Sequence, residues 1–423
     1  MHLYALPLVF ALVGLALYTV LGGADFGAGI WQLTAGRGPD AERIRDHAHH
    51  AMGPVWEANH VWLIFVLTVT WTAYPVAFGS IASTLSVPLF VAAVGIILRG
   101  VTYALRSGAD STRETRAIDT AFALSSIVTP FALGAAIGGI VAGRVPVGNA
   151  AGHLFSSWLG PTSILVGALA VAVSAYLAAV YLCADATRLE ARWLERQFRG
   201  RALGAGVLAG AIAIGGLIVL HSTAHHIYHR LVGGPGLAPL IVSVTAGLCT
   251  LALVAIRRYE PARYSAATAV AAIIAGWALA QEPTFLPGLT VARAAAPHDT
   301  LVLVVVIVLA GGALLFPSLA LLFTLVLRGR LDAGGDGDPG RTPHAKAILA
   351  PSVAGVPARL ASACLIAGFG LLTVADGSAE HAVGVGALLA FVVLAFWALR
   401  PTELAAGEDG PASAAHSPGD NRL

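Results

Sequence analysis

The stretch Gly53–Phe65, GPVWEANHVWLIF, decides how this chain is read. Trp56, Val61, Trp62, Leu63, Ile64 and Phe65 are the opening of a membrane helix, yet Glu57, Asn59 and His60 stand within one turn of each other. An ionisable group inside a span costs at least about 2.5–3.5 kcal/mol on insertion scales, so a carboxylate there needs a reason.

The rest of the chain supports the membrane reading. Of its 423 residues 57% are hydrophobic and 11% charged, with a mean hydropathy of +0.78; a soluble domain carries roughly 25% charged residues. Apolar runs of about 20 residues, the length that crosses about 30 Å of hydrocarbon, recur throughout. They are continuous rather than alternating, which excludes an outer-membrane barrel. The fold class expected is therefore all-α, a polytopic helical membrane protein. A net charge of +2 with scattered basic residues indicates no nucleic-acid partner. Cys183, Cys249 and Cys364 sit in separate apolar runs with no CxxC or CxxCH spacing, so neither a disulfide framework nor covalent haem attachment is indicated. No positive n-region precedes the first apolar run, which reads as a retained span rather than a signal peptide.

Spans are expected at about 3–31, 54–77, 80–105, 118–142, 161–184, 201–221, 237–256, 264–281, 300–328, 359–376 and 383–400. Basic residues collect in alternate loops (Arg37, Arg43 and Arg45; Arg188 to Arg201; Arg328 to Arg359), while the opposite loops hold only Arg144, Arg230 and Arg293. The positive-inside rule then puts the N-terminus outside and the C-terminus in the cytoplasm. The first and fifth spans both finish on Ala-Asp, at Asp25 and Asp185, a weak echo that two repeated four-helix bundles would explain. The organisation expected is a first bundle over 1–142, a second over 161–282, a ninth helix at 299–328, a Gly/Asp/Pro-rich cytoplasmic connector at 329–358, an extra helical hairpin at 359–400 and a tail of disordered composition at 401–423.

Three charges lie within the first three spans. At 1.5 Å per residue, Asp25 is about 15–18 Å from the loop at Arg37, and Arg99 about 10 Å from Arg106. Antiparallel neighbours would bring Asp25, Glu57 and Arg99 into the same cytoplasmic third of the bilayer, where the guanidinium would hold one carboxylate ionised while burial raised the pKa of the other. The plainer alternative is that Glu57 and Arg99 snorkel to water from the headgroup level; Asp25 is too deep and too short for that. Gly22, Gly23, Gly27 and Gly29 around it fit close helix contact.

The histidines have plain readings too. His221, His225 and His229, at the outer end of the sixth span, could share a helix face as metal ligands do, or form a wet interfacial segment; no metal is expected. His47, His49 and His50 read as a solvated loop beside Glu42 and Asp46. His60 lacks a facing histidine at its depth, so packing, or hydrogen bonding with Asn59 and Glu57, is preferred to haem ligation.

With these residues in view, the chain resembles subunit II of cytochrome bd-type quinol oxidases. The resemblance rests on LGGADFGAG in the first span, GPVWEANHVWLIF in the second, ILRGVTYALR closing the third and QEPTFLPGLTVARAAAP before the ninth, and covers about residues 3–330. It implies a heterodimer with a haem-bearing subunit I, two four-helix bundles plus a ninth helix per subunit, haems b and d and the quinol site in that partner, no cofactor bound by this chain, and a plasma-membrane location. Asp25, Glu57 and Arg99 match the polar residues that line the family's proton route from the cytoplasm. Many members have Asp-Gly-Asn-Gln where this chain has Glu57-Ala58-Asn59-His60; an acid is kept, and His60 changes the local hydrogen bonding. A secondary transporter, or a purely structural membrane partner, remains the alternative.

Overall fold

The computed structural model describes residues 2–106, 112–327 and 378–398, with 360–361, 363–364, 366–368 and 371; the side chains of 52–58, Glu57 among them, lie outside that description. So do the connector at 329–358, the tail at 401–423 and much of the expected span at 359–376.

Proline and the ends of apolar runs set the helix boundaries. α1 spans Leu6–Leu33, α2 Pro39–Ala73, α3 Pro75–Thr84, α4 Ser86–Arg106 and α5 Thr112–Val141. α6 spans Pro161–Arg188, α7 Arg192–Thr223, α8 His225–Val232, α9 Leu237–Ala255 and α10 Tyr259–Gln281. Proline opens α2, α3 and α6, where its missing N–H is no loss. Among the described residues, six helices are long and apolar enough to cross a membrane, and seven if the α3–α4 pair, bent by 82° at Leu85, counts as one span.

Several expected boundaries move, among them the start of α7, at Arg192 rather than near 201. α2 begins at Pro39 rather than near residue 54, because its first turns are polar but helical; at 35 residues it is about 52 Å long and outruns the hydrocarbon layer. The expected third span at 80–105 starts after the bend, at Ser86.

The helices fall into two similar sets. α1 packs on α2 and α5, and α4 on α5; α6 packs on α7 and α10, and α9 on α10. The sets join along α1–α6 and α5–α6. Each set breaks its second helix at one residue of nearly the same backbone conformation, Tyr74 (φ −139°, ψ 61°) and Ala224 (φ −140°, ψ 56°). The Ala-Asp echo does not register with this repeat: Asp25 lies eight residues before the end of α1, and Asp185 three before the end of α6.

Beyond α10, β1 (Thr284–Leu286) and β2 (Leu289–Thr290) form an antiparallel hairpin through Pro287 and Gly288, whose φ of 78° suits glycine. It leads through α11 (Val291–Ala294) into α12 (His298–Leu327). Leu286, Leu289 and Val291 pack around Tyr74 and Leu85, and the Ala296 N–H donates to the Ala73 carbonyl at 2.8 Å. Tyr74 donates to the Tyr4 carbonyl at 2.6 Å and accepts from the Leu8 N–H at 2.9 Å, so the backbone freed by the break is bonded again. The chain divides into two units, Met1–Pro317 and Ser318–Leu423. In the second, α13 (Ser378–Ala398) lies against Gly368, where a Cβ would meet the Leu388 side chain and the Gly384 carbonyl.

Candidate functional site

α1, α2, α4 and α5 converge on one guanidinium. Arg99 of α4 is 1% exposed and Asp25 of α1 is 0% exposed. Arg99 Nε donates to Asp25 Oδ2 at 2.9 Å, and Nη2 to Oδ1 at 2.6 Å and to the Asp25 backbone carbonyl at 2.6 Å. Nη1 donates to Ser126 Oγ of α5 at 2.5 Å, and the Ser126 hydroxyl in turn donates to the Phe122 carbonyl at 2.6 Å. Asn59 of α2, 1% exposed, donates from Nδ2 to Asp25 Oδ2 at 3.3 Å. The rings of Phe122 and Phe26 flank the guanidinium at 4.0 and 5.2 Å, a cation–π setting.

This arrangement meets the conditions for burying two charges, namely paired opposite charge, bidentate geometry and hydrogen bonds to the remaining donors. The local sequence permits it. A Cβ at Gly29 would collide with the Ser126 hydroxyl, and one at Gly27 with the Ser174 carbonyl of α6, so glycine lets α5 and α6 close on α1 beside the pair. The Tyr18 hydroxyl, two turns before Asp25 on α1, is buried without a partner among the described residues, as is the Thr129 hydroxyl one turn beyond Ser126 on α5.

Of the three charges singled out in the sequence, Asp25 and Arg99 thus meet in one ion pair, and neither snorkels. Glu57 has its backbone in α2, two residues before Asn59; its side chain is not described. His60 is half-buried. Ser126 and Phe122 carry no sequence signal beyond their residue type, and Phe26 lies in the LGGADFGAG motif without being singled out there.

The reading of His47 as a solvated loop residue is corrected. It lies within α2, 7% exposed, because α2 runs on helically past its apolar part against α6. Its Nε2 is 3.1 Å from the Leu182 carbonyl, its Nδ1 3.9 Å from Asp185 Oδ2, and its ring tilts against Phe198. Nearby, Tyr259 donates to the buried Glu195 carboxylate, with the Arg257 guanidinium 3.8 Å away. The His221/His225/His229 set is altered too: the His221 ring lies edge-on to Tyr228, while His225 and His229 bond each other. Among the described residues no three His, Cys, Asp or Glu side chains group as metal ligands.

Long apolar helices in a twofold-repeated layout, with a charged pair sealed between four of them, define a multi-pass helical membrane protein. The profile of the family described as cytochrome bd terminal oxidase subunit II matches residues 3–326, and the chain belongs to that family. It is 28% identical over 180 residues to cytochrome bd-I ubiquinol oxidase subunit 2 of Escherichia coli (strain K12), a match over 40% of this chain and 46% of that protein. With cytochrome bd ubiquinol oxidase subunit 2 of Bacillus subtilis (strain 168) it shares 27% over 114 residues, 27% of this chain and 33% of that one. The chain thus matches less than half the length of these curated relatives. A chain from the structure of bd oxidase from Geobacillus thermodenitrificans has the same fold, with a TM-score of 0.59 and 24% identity over 77% of this chain and 99% of that one.

Proposed function

We propose that this chain is the haem-free subunit II of a quinol:oxygen oxidoreductase. It supports a haem-bearing subunit I in the plasma membrane and lines a route by which cytoplasmic protons reach the site where dioxygen becomes water. In this reading the chain crosses the bilayer eleven times, as two four-helix bundles, a ninth helix and a C-terminal hairpin, with the N-terminus outside and the C-terminus in the cytoplasm. The haems b and d, bound in the partner, supply the electron transfer and oxygen chemistry, and the complex oxidises quinol among membrane lipids.

The observation that carries the reading is the sealed pair of Arg99 and Asp25, bonded to Asn59. Glu57, two residues before Asn59 on α2, takes up protons from the cytoplasmic side. Asp25 is the deeper relay, and Arg99 sets its charge. Such a relay needs a carboxylate that both accepts and releases a proton. The buried, unpartnered hydroxyls of Tyr18 and Thr129 beside the pair are the kind of group that ordered water bridges.

One observation favours the structural-partner alternative. Both oxygens of Asp25 already accept from Arg99, as in a pair that only locks helices together. The transporter alternative calls for helices broken at the membrane midplane; the break at Ala224 comes instead after a helix long and apolar enough to cross a membrane. The first test is a reduced-minus-oxidised visible spectrum of the chain purified alone and with the partner encoded beside it. Haem bands and oxygen uptake only with the partner are expected. Stoichiometric haem in the isolated chain would reject the haem-free role.

A further inference from the structure

At the far end of α7 from its arginine-rich start, the chain breaks at Ala224 and resumes as α8 with His225 as its first residue. His225 and His229 are one helical turn apart, both exposed, with Nε2 atoms 2.9 Å from each other and ring centroids 4.3 Å apart. The other ring nitrogen of His225, Nδ1, lies 3.0 Å from the His221 carbonyl across the break. A carbonyl only accepts, so Nδ1 carries the proton, and in the neutral ring the Nε2 lone pair points at His229. This is the arrangement in which a backbone carbonyl orients a metal-binding histidine through its second nitrogen. Neither imidazole nitrogen of the facing pair is engaged by any other group in the hydrogen bonds of the described residues.

We infer that His225 and His229 form a two-imidazole binding site for a divalent transition metal ion of the Zn2+ or Cu2+ type. Metal–nitrogen bonds of about 2.0–2.1 Å in tetrahedral geometry place two ligand nitrogens about 3.3 Å apart. The pair, at 2.9 Å, therefore needs to open by only a few tenths of an ångström, a small rotation of exposed rings. Binding needs the Nε2 lone pair of His229 as well, so the proton on that atom moves through water to Nδ1 of the same ring, and both ligands stay neutral imidazoles. The remaining coordination positions go to water. Both rings are exposed, which gives those waters access. Hard cations such as Mg2+ are excluded because imidazole suits Zn2+, Cu2+ and Ni2+ instead. His221 takes part through its carbonyl and not its ring, which packs edge-on against Tyr228. The site is independent of any proton role for α1–α5.

The test uses the assembled complex, purified without a polyhistidine tag and stripped with chelator. Zn2+ binding is followed by calorimetry, and the ligand set by the nitrogen hyperfine pattern of bound Cu2+. One ion per chain and two equatorial nitrogens are expected. His225→Gln and His229→Gln should each weaken binding by at least the roughly 10–100-fold that loss of a supporting partner costs a metal site. His226→Gln, on the same helix but outside the pair, should leave affinity unchanged. Absence of stoichiometric binding, affinity unchanged from the unaltered complex in the His225 or His229 variant, or an equal loss in the His226 variant would each overturn the site.

Discussion

The two halves of the membrane domain share a layout and differ in what they bury. α1 and α6 are both 28 residues long, and Asp25, nineteen residues past Leu6, corresponds to Val180, nineteen past Pro161. Arg99, thirteen past the start of α4, corresponds to Thr250, thirteen past the start of α9. Counted back from the helix ends, Asn59 and Ser126 correspond to Ala209 and Ala266. All four second-half residues are buried. Where the first half seals an ion pair among four helices, the second has valine, alanine and a threonine bonded to its own helix at Ala246. Its α9 and α10 are tied by two hydroxyls, Ser243 to the Ala269 carbonyl and Ser265 to the Ala246 carbonyl. The second half folds on the same plan without charges at these four positions, which supports the functional role proposed for the charges of the first half.

That comparison can be broken by mutation, beginning with the largest effect. Arg99→Thr alone copies the second half but strands a buried carboxylate, and breaking a buried pair costs about 3–5 kcal/mol; little assembled complex should be recovered by size-exclusion chromatography. Asp25→Val with Arg99→Thr removes both charges, and assembly should return while oxygen uptake stays low. Full uptake in the double variant would reduce the pair to a structural lock.

Gly27→Val drives a side chain into the Ser174 carbonyl where α1 meets α6. Overpacking of this kind costs about 1–3 kcal/mol, and should appear as a lower thermal unfolding midpoint. The equivalent change at Gly210 of α7, which has nothing within reach of an added Cβ, should leave the midpoint unmoved. Asp185→Asn tests the smaller polar contact of the second half. Its carboxylate is 32% exposed and 3.9 Å from His47, so a loss of under about 1 kcal/mol is expected, read as a shift of a few degrees at most. Thr250→Val, which removes one hydroxyl-to-carbonyl bond within a helix, should cost no more than about 1 kcal/mol.

How much of this was legible in the sequence depends on which physical quantity each feature obeys. Apolar runs report burial in lipid, so the helices at 161–188 and 237–255 were found nearly to the residue. Hydropathy does not report helicity in water, and the polar first turns of α2 were missed for that reason. The break at Tyr74 has a local cause in Pro75, whereas the break at Ala224 falls in HSTAHH, with no proline or glycine to mark it. That Asp25 and Arg99 come together follows from helical rise and antiparallel neighbours alone. Ser126 as the third anchor of Arg99, and Asp185 and Leu182 as the partners of His47, depend on which helices touch, and one sequence does not encode that in a readable pattern. Ala-Asp does not mark the repeat; its structural mark is a shared backbone break.

The most direct measurement compares one acid from each half in the assembled complex: quinol-driven oxygen uptake of Glu57→Gln against Glu195→Gln, each normalised to haem content. The account predicts that Glu57→Gln slows turnover by about 10-fold or more, within the range by which a positioned proton-transfer group acts, while Glu195→Gln stays within about twofold of the unaltered complex. Unchanged turnover in Glu57→Gln, or an equal loss in both variants, would contradict a proton route confined to the first half.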